Sequence, residues 1–514
     1  MRSEKIELEQ GKLNSWDYAI SIFIAAIALA FYVKALAPTV TWGDPAKLTI
    51  FAYRRYLRVW AANHALHNLI GWLWGHLPFT DYAYGQNLLS AVFASLTVGV
   101  IYFIVLKLTA SRLAAALAAL ALAVSHTFCW LAVIAESYSL LFFLLAVCIY
   151  AALAWSEGRN NRWLYLFAFA FGLGMTNHAI MPLFAPAFAL YFFLEDQRFF
   201  WRVQRLIDIA LAFLAGISLL IGVFVYELRW YTAGELVQQM TTGSLSRYWR
   251  DTPKMVREMV MYLIYLSYQF PGVGLLLGAA GTLVLFRKNK KTFVFLVSLF
   301  ALDVVFSAGY MYQRQFEILV PSYLVFALAI GVGTGSLWEK LRLAAKRQGA
   351  LAAGGVALTG LLILVPVLIY YTTPSILRYI GLNPLGARYI PYRDNARYFF
   401  LPDKSGYDGA ARYGREVLGM LPPDSVIMAD FTPGAVLQYF QTVESLRPDV
   451  LIVHVESSIE GLAQDTVRKH YGHRPIYLTD YRTYPHFFAI SELGMEYDFV
   501  PVGHIYLLCR KQGS

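Results

Sequence analysis

The sequence predicts a polytopic α-helical membrane protein of about eleven transmembrane helices with a small extracytoplasmic α/β domain at its C-terminus. Three observations predict it. Of the 514 residues, 58% are hydrophobic and only 15% are charged, and the mean hydropathy is +0.50, far too apolar for a soluble chain of this size. Apolar stretches of spanning length recur along most of the chain. Past about residue 373 they give way to short strand-like runs.

Stretches able to cross about 30 Å of hydrocarbon as helix fall at 15–37, 87–107, 113–128, 137–155, 163–178, 179–194, 206–226, 259–286, 292–309, 317–338 and 351–372. The apolar region 163–194 is too long for one span and has Gly172, Gly174, Thr176, Asn177 and His178 in its middle, so two short helices with a turn are expected there. Basic residues fix the orientation. Arg2, Lys5 and Lys12 share one side with Lys107, Arg112, Arg159, Arg162, Arg198, Arg202, Arg205, Arg287, Lys288, Lys290, Lys291, Lys340, Arg342, Lys346 and Arg347. That side is read as cytoplasmic. The net charge of +10 then follows from topology and anionic lipid, with no nucleic-acid partner implied. The first apolar run is a full span and reads as a signal anchor. The three cysteines suggest neither a disulfide framework nor a zinc site.

The expected division is a membrane domain at 1–372 and an extracytoplasmic domain at 373–514. Within the latter, "SVIMAD" (425–430) and "PDVLIVHV" (448–455) read as strands, "TPGAVLQYFQTVESL" (432–446) as a helix, and "FVPVGHIYLLCR" (499–510) as one or two further strands.

This topology gathers charge at the outer rim. Residues 38–86 lie outside, with Glu136, the turn carrying Asn177 and His178, the stretch 227–258 with Glu227, Arg229, Arg247, Arg250 and Asp251, and the segment 310–317 with Arg314 and Glu317. A rim holding both carboxylates and guanidiniums can bind a phosphate and activate a hydroxyl. Asp44 sits in a "WGDP" turn, partly shielded by Trp42; it reads either as a general base of raised proton affinity or as the cap of a helix starting at Pro45. In "YRRYLR" (53–58), helical spacing of Arg54, Arg55 and Arg58 suits a lipid-linked phosphate, or an amphipathic helix on anionic headgroups. His64 and His67 have an allowed metal-pair spacing but lack a third ligand, so no metal site is predicted, and dependence on a divalent cation stays open.

The stretches "PTVTWGDPAKL" (38–48), "LPFTDYAYGQNLLSAVFASLTV" (77–98), "SHTFCWLAVIAESYSL" (125–140), "RWLYLFAFAFGLGMTNHAIM" (162–181) and "LPPDSVIMADFTPGAVLQYFQTVESLRPDVLIV" (421–453) resemble a bacterial membrane family related to a eukaryotic endoplasmic-reticulum protein O-mannosyltransferase. With it, they resemble the GT-C glycosyltransferases. The resemblance implies a GT-C-like fold and inverting sugar transfer from a polyprenyl-phosphate donor to a protein, lipid or glycan hydroxyl on the non-cytoplasmic face. It also implies an acid of the first outer loop as base, and Asp44 falls on that acid. Arg54, Arg55, Arg58 and His178 are then candidates for the donor phosphate. Trp42, Lys47, His64, His67, Glu136, Asn177 and Arg314 are candidates for the substrates. Glu136 and His178 match family positions. Two departures stand out: Lys47 replaces a family glutamate, and "NHALHNLI" replaces a proline- and glycine-rich run with at most one histidine kept. Two other classes fit the same composition. One is a flippase or transporter for lipid-linked saccharides, which needs ionisable residues through the midplane, where Asp303 is the clearest acid. The other is a noncatalytic scaffold.

Overall fold

The computed structural model describes residues 13–60, 63–241, 252–310, 316–344, 348–455, 461–482, 490 and 493–511. In chain order the first helices are α1 (Ser15–Ala35), α2 (Asp44–Tyr53), α3 (Ala65–Trp74), α4 (Tyr82–Thr109), α5 (Arg112–Val124), α6 (His126–Ala132), α7 (Tyr138–Gly158), α8 (Asn161–Asn177), α9 (Ala185–Glu195) and α10 (Val203–Glu227). There follow α11 (Ala233–Thr241), α12 (Thr252–Gln269), α13 (Val273–Lys288), α14 (Lys290–Tyr310), α15 (Val320–Ala344), α16 (Gln348–Thr359) and α17 (Val365–Tyr379).

Among the described residues seven helices are long and apolar enough to cross a membrane, and up to nine if each of two bent pairs is one span. The expected count of about eleven is not reproduced, for local reasons. The single span expected at 259–286 is α12 and α13, bent by 112°. Pro271 and Gly272, the latter at φ +59, interrupt the helix there. The span expected at 113–128 bends by 68° at Ser125, whose backbone is extended. The region 163–194 divides, as expected, into α8 and α9 joined by the 3-10 turn Met181–Phe184, but at 17 and 11 residues neither counts as a span, and these two account for the difference between nine and eleven.

Burial ranks the helices. The apolar window of Phe316–Ala344, which contains α15, is 89% buried, against 11% for α10, so α15 is central and α10 lies at the periphery. A Cβ on Gly281 of α13 would lie 1.8 Å from the Ala329 carbonyl oxygen, and one on Gly333 of α15 would lie 2.0 Å from that of Leu277. The two backbones therefore touch, as small residues permit between membrane helices.

The C-terminal region begins with α18 (Asn395–Phe400) and α19 (Gly409–Met420). Next come β1 (Val426–Ala429), α20 (Phe431–Val443), β2 (Leu451–His454), α21 (Leu462–His470), β3 (Ile476–Leu478), α22 (Leu493–Glu496), β4 (Tyr497–Val502) and β5 (Ile505–Arg510). The sheet order is β2-β1-β3-β5-β4, with β1 parallel to β2 and β3, and β5 antiparallel to β3 and β4. Val426, Ile427, Met428 and Ala429 are all fully buried, the continuous apolar run of a strand covered on both faces. The β4–β5 hairpin turns at Gly503, at φ +58. Helix α20 packs on α2, which sets the sheet domain against the segment between α1 and α4.

Candidate active site

Asp44 is the first residue of α2, after Gly43 at φ +74 and ψ −125. It does not cap the helix: no side-chain cap bond forms, and the Gly43 carbonyl accepts from the Lys47 N–H at 3.1 Å. The Asp44 side chain is open to solvent, yet enough protein surrounds it that lost hydration raises its carboxyl above the ordinary value. Among the described residues no ion-pair or hydrogen-bond partner engages its carboxylate.

Glu136 lies between α6 and α7, its N–H donating to Ser90 Oγ at 3.0 Å and its carbonyl accepting from that hydroxyl at 3.3 Å. Burial, then the charge of Asp44, then that of Glu317 hold its carboxyl well above the usual range, against a weaker opposing bond from the Ser137 backbone. Glu317, in the 3-10 turn Phe316–Leu319, also faces Asp44. Three carboxylates from distant segments thus meet. Among the described residues no group of three or more His, Cys, Asp or Glu side chains reaches metal-holding geometry.

An imidazole stack adjoins the acids. The rings of His64 and His178 are 4.7 Å apart, and His178 is 4.8 Å from Tyr138, whose hydroxyl responds to Glu317, Glu136 and Asp44. His64 Nδ1 stands 2.8 Å from the Asn177 carbonyl and must donate to it, while His178 Nδ1 accepts from the Ile180 N–H at 3.2 Å. The His178 proton is therefore on Nε2. Asn177 Nδ2 donates to the Ser137 carbonyl at 3.1 Å and fixes α8 to the start of α7. His67 is buried in α3 beside the Asn68 side chain. Burial lowers His64 and His67 to about 4, so both are neutral near pH 7.

The arginines are not arranged as the spacing predicts. α2 ends at Tyr53, Arg54 is its C-cap, and Arg55 is left-handed at φ 48, so the three do not share a helical face. Arg54 donates to Thr442 Oγ1 at 3.0 Å, Arg55 lies 4.9 Å from the Trp72 ring, and Arg58 pairs with Glu227. Lys47 donates to Gln438 Oε1 of α20 at 3.2 Å. Trp42 is buried; its indole N–H donates to the Tyr407 hydroxyl and its ring lies tilted against Tyr413, with centroids 5.3 Å apart. Arg314, Arg247, Arg250 and Asp251 lie outside the described residues. Sequence reasoning placed Glu317 on the rim but not in the site; its position beside a span end was the available signal. It missed the C-terminal aromatic residues altogether.

Residues 61–199 match the family model of the protein O-mannosyl-transferase TMEM260 N-terminal domain. That match takes in His64, His67, Glu136, Asn177 and His178, and begins after Asp44. The fold is similar to that of the Archaeoglobus fulgidus oligosaccharyltransferase in its apo form, at 11% identity and a TM-score of 0.51, over 90% of this chain and 69% of that one. A second structure of that protein, in complex with Zn and sulfate, aligns at 12% identity and a TM-score of 0.47, over 89% and 68%. No curated protein matches the chain. Over residues 61–199 the chain is thus similar to the protein O-mannosyl-transferase TMEM260 N-terminal domain, and its fold is similar to that of the oligosaccharyltransferase.

Proposed function

We propose that the chain transfers a sugar, with inversion, from a polyprenyl-phosphate donor to an acceptor hydroxyl on a protein, lipid or glycan, at the outer face of a bacterial inner membrane. The N-terminus is then cytoplasmic, and the sheet domain covers the outer cleft. The observation that carries the reading is the unpartnered Asp44 carboxylate, open to solvent and set beside Glu136.

In this reading Asp44 takes the acceptor proton while the acceptor oxygen forms its bond to the sugar anomeric carbon. The bond from that carbon to the phosphate oxygen breaks on the opposite face, and the electron pair leaves with the polyprenyl phosphate. A base of raised proton affinity accepts that proton more readily than an ordinary aspartate. Glu136, holding its proton, is a hydrogen-bond donor to a sugar or acceptor oxygen. The His178 Nε2–H is a neutral donor for the departing phosphate, and Asn177 fixes the backbone that presents it.

The test is a panel of radiolabelled polyprenyl-phosphate sugars, with purified wild type and Asp44→Asn in detergent and a membrane extract as acceptor. Transfer by the wild type that vanishes in the variant supports the enzyme and names the donor. Equal behaviour of the two proteins overturns it in favour of transport or scaffolding.

A further inference from the structure

Above the catalytic turn, the C-terminal segment brings in a cation whose charge no acid answers. Arg393 follows an isolated bridge to Ile390 and is half-buried. Its guanidinium lies 5.7 Å from the Tyr398 ring and 5.1 Å from that of Phe399. Its hydrogen-bond partners are neutral: Nε donates to Asn395 Oδ1 at 2.8 Å and Nη2 to the Arg388 carbonyl at 3.2 Å. Among the described residues no carboxylate stands within ion-pair distance of it. Asp430, an acid within electrostatic reach, is already in contact with Arg388. Burial accordingly pulls the Arg393 guanidinium below its ordinary value, because Tyr398, Tyr407 and Asp430 offset only part of the lost hydration and Arg388 adds to the loss.

The surroundings connect this cation to the acids. Tyr398 lies tilted against Tyr407, with ring centroids 5.2 Å apart, and Tyr407 accepts from Trp42, two residues before Asp44. The Tyr398 hydroxyl lies beside Trp42 and within electrostatic reach of Glu136. Meanwhile Arg58 is paired with an acid, and Arg54 and Arg55 are engaged elsewhere. A half-buried guanidinium with N–H donors to spare and no counter-ion is suited to receive an anion, and phosphate matches its fork.

We propose that Arg393 binds the phosphate of a prenyl-phosphate ligand in the outer cleft, so that the C-terminal region completes the site. This rests on the glycosyltransferase reading for the identity of the anion, but it is tested by binding alone.

The experiment uses the full chain in detergent with farnesyl phosphate, farnesol and inorganic phosphate as probes. Arg393→Gln weakens farnesyl phosphate binding about tenfold or more, Arg393→Lys recovers part of it, and farnesol binding is the same in all three proteins. A second measurement needs no variant: phenylglyoxal labelling of Arg393 in the wild type, read by peptide mass spectrometry, is slowed by farnesyl phosphate and not by farnesol. Binding and labelling both indifferent to farnesyl phosphate sink the proposal, whatever sugar transfer shows. Protection by inorganic phosphate equal to that by farnesyl phosphate overturns the prenyl-phosphate assignment. Loss of transfer in Asp44→Asn speaks only to the function above, because these readouts involve no turnover.

Discussion

Arg58 Nε and Glu227 Oε1 form an ion pair at 3.1 Å, with the acid almost wholly buried and its other oxygen accepting from the Val59 N–H at 3.2 Å. The pair ties the segment between α2 and α3 to the C-terminal end of α10. Arg58→Met leaves a buried carboxylate without its cation, and the expected cost is about 2–3 kcal/mol, at the lower end for broken buried pairs because the arginine is partly wet. The expected signature is a lower thermal midpoint and faster proteolysis of the loop. A stable variant with only a raised KM for donor would return Arg58 to the phosphate.

Glu136 gives a pH dependence of known sign. A carboxyl that binds its proton more tightly in the folded chain than in the unfolded one stabilises the fold below its ordinary titration range, and loses that contribution as pH rises toward the raised value. Burial and the charges of Asp44 and Glu317 place Glu136 in this class. Glu136→Gln is therefore more stable than wild type above neutrality, and indistinguishable from it near pH 4, by thermal melts across pH. A variant no more stable at any pH contradicts the burial argument.

The spans were legible because burial in lipid demands long apolar runs, and the strands because Pro and Gly punctuate short β-branched segments. The breaks were harder. Pro271 and Gly272 sit inside one apolar run, and hydropathy is indifferent to a bend of 112°. "YRRYLR" reads as a helix because nothing local announces that Arg55 is left-handed. Glu317 and Tyr407 meet the Asp44 turn only through tertiary packing. The Trp42 to Tyr407 bond joins residues 365 apart, beyond any periodicity argument.

The histidines give a third prediction. His64 donates to the buried Asn177 carbonyl, and its removal in His64→Ala leaves that acceptor unpaired, at a cost of about 1–3 kcal/mol. His64 and His67 are held to about 4 by burial. Neither therefore titrates near 6.5, the ordinary histidine value, and under the proposed mechanism the acid limb of the activity profile is expected from Asp44, above the ordinary aspartate range, with Glu317 beside it raised to about 7. Activity falls as pH drops through that limb, since a protonated base accepts nothing. A limb that persists unchanged in Asp44→Glu, yet shifts in His64→Gln, assigns it to the histidine instead.

Gly43 separates position from chemistry at the proposed base. Its backbone, at φ +74 and ψ −125, lies where a residue with a Cβ is strained, whereas the space is adequate: a Cβ would meet only Phe431 Cε1, at 3.7 Å. Gly43→Ala therefore costs about 1–3 kcal/mol through backbone strain rather than collision. The turn can relieve that strain only by rotating, because Trp42 on one side is held by Tyr407 and Tyr413 and α2 on the other is packed against α20. The residue that moves is Asp44. The expected kinetic outcome is a fall in kcat of tenfold or more, about 1.4 kcal/mol in barrier, with KM for the donor little changed, since the candidate phosphate donors His178 and Arg393 lie on other segments. Gly43→Ala with wild-type kcat and a lowered thermal midpoint would show that the strain is absorbed without displacing Asp44, and that the aspartate does not depend on this turn for its aim.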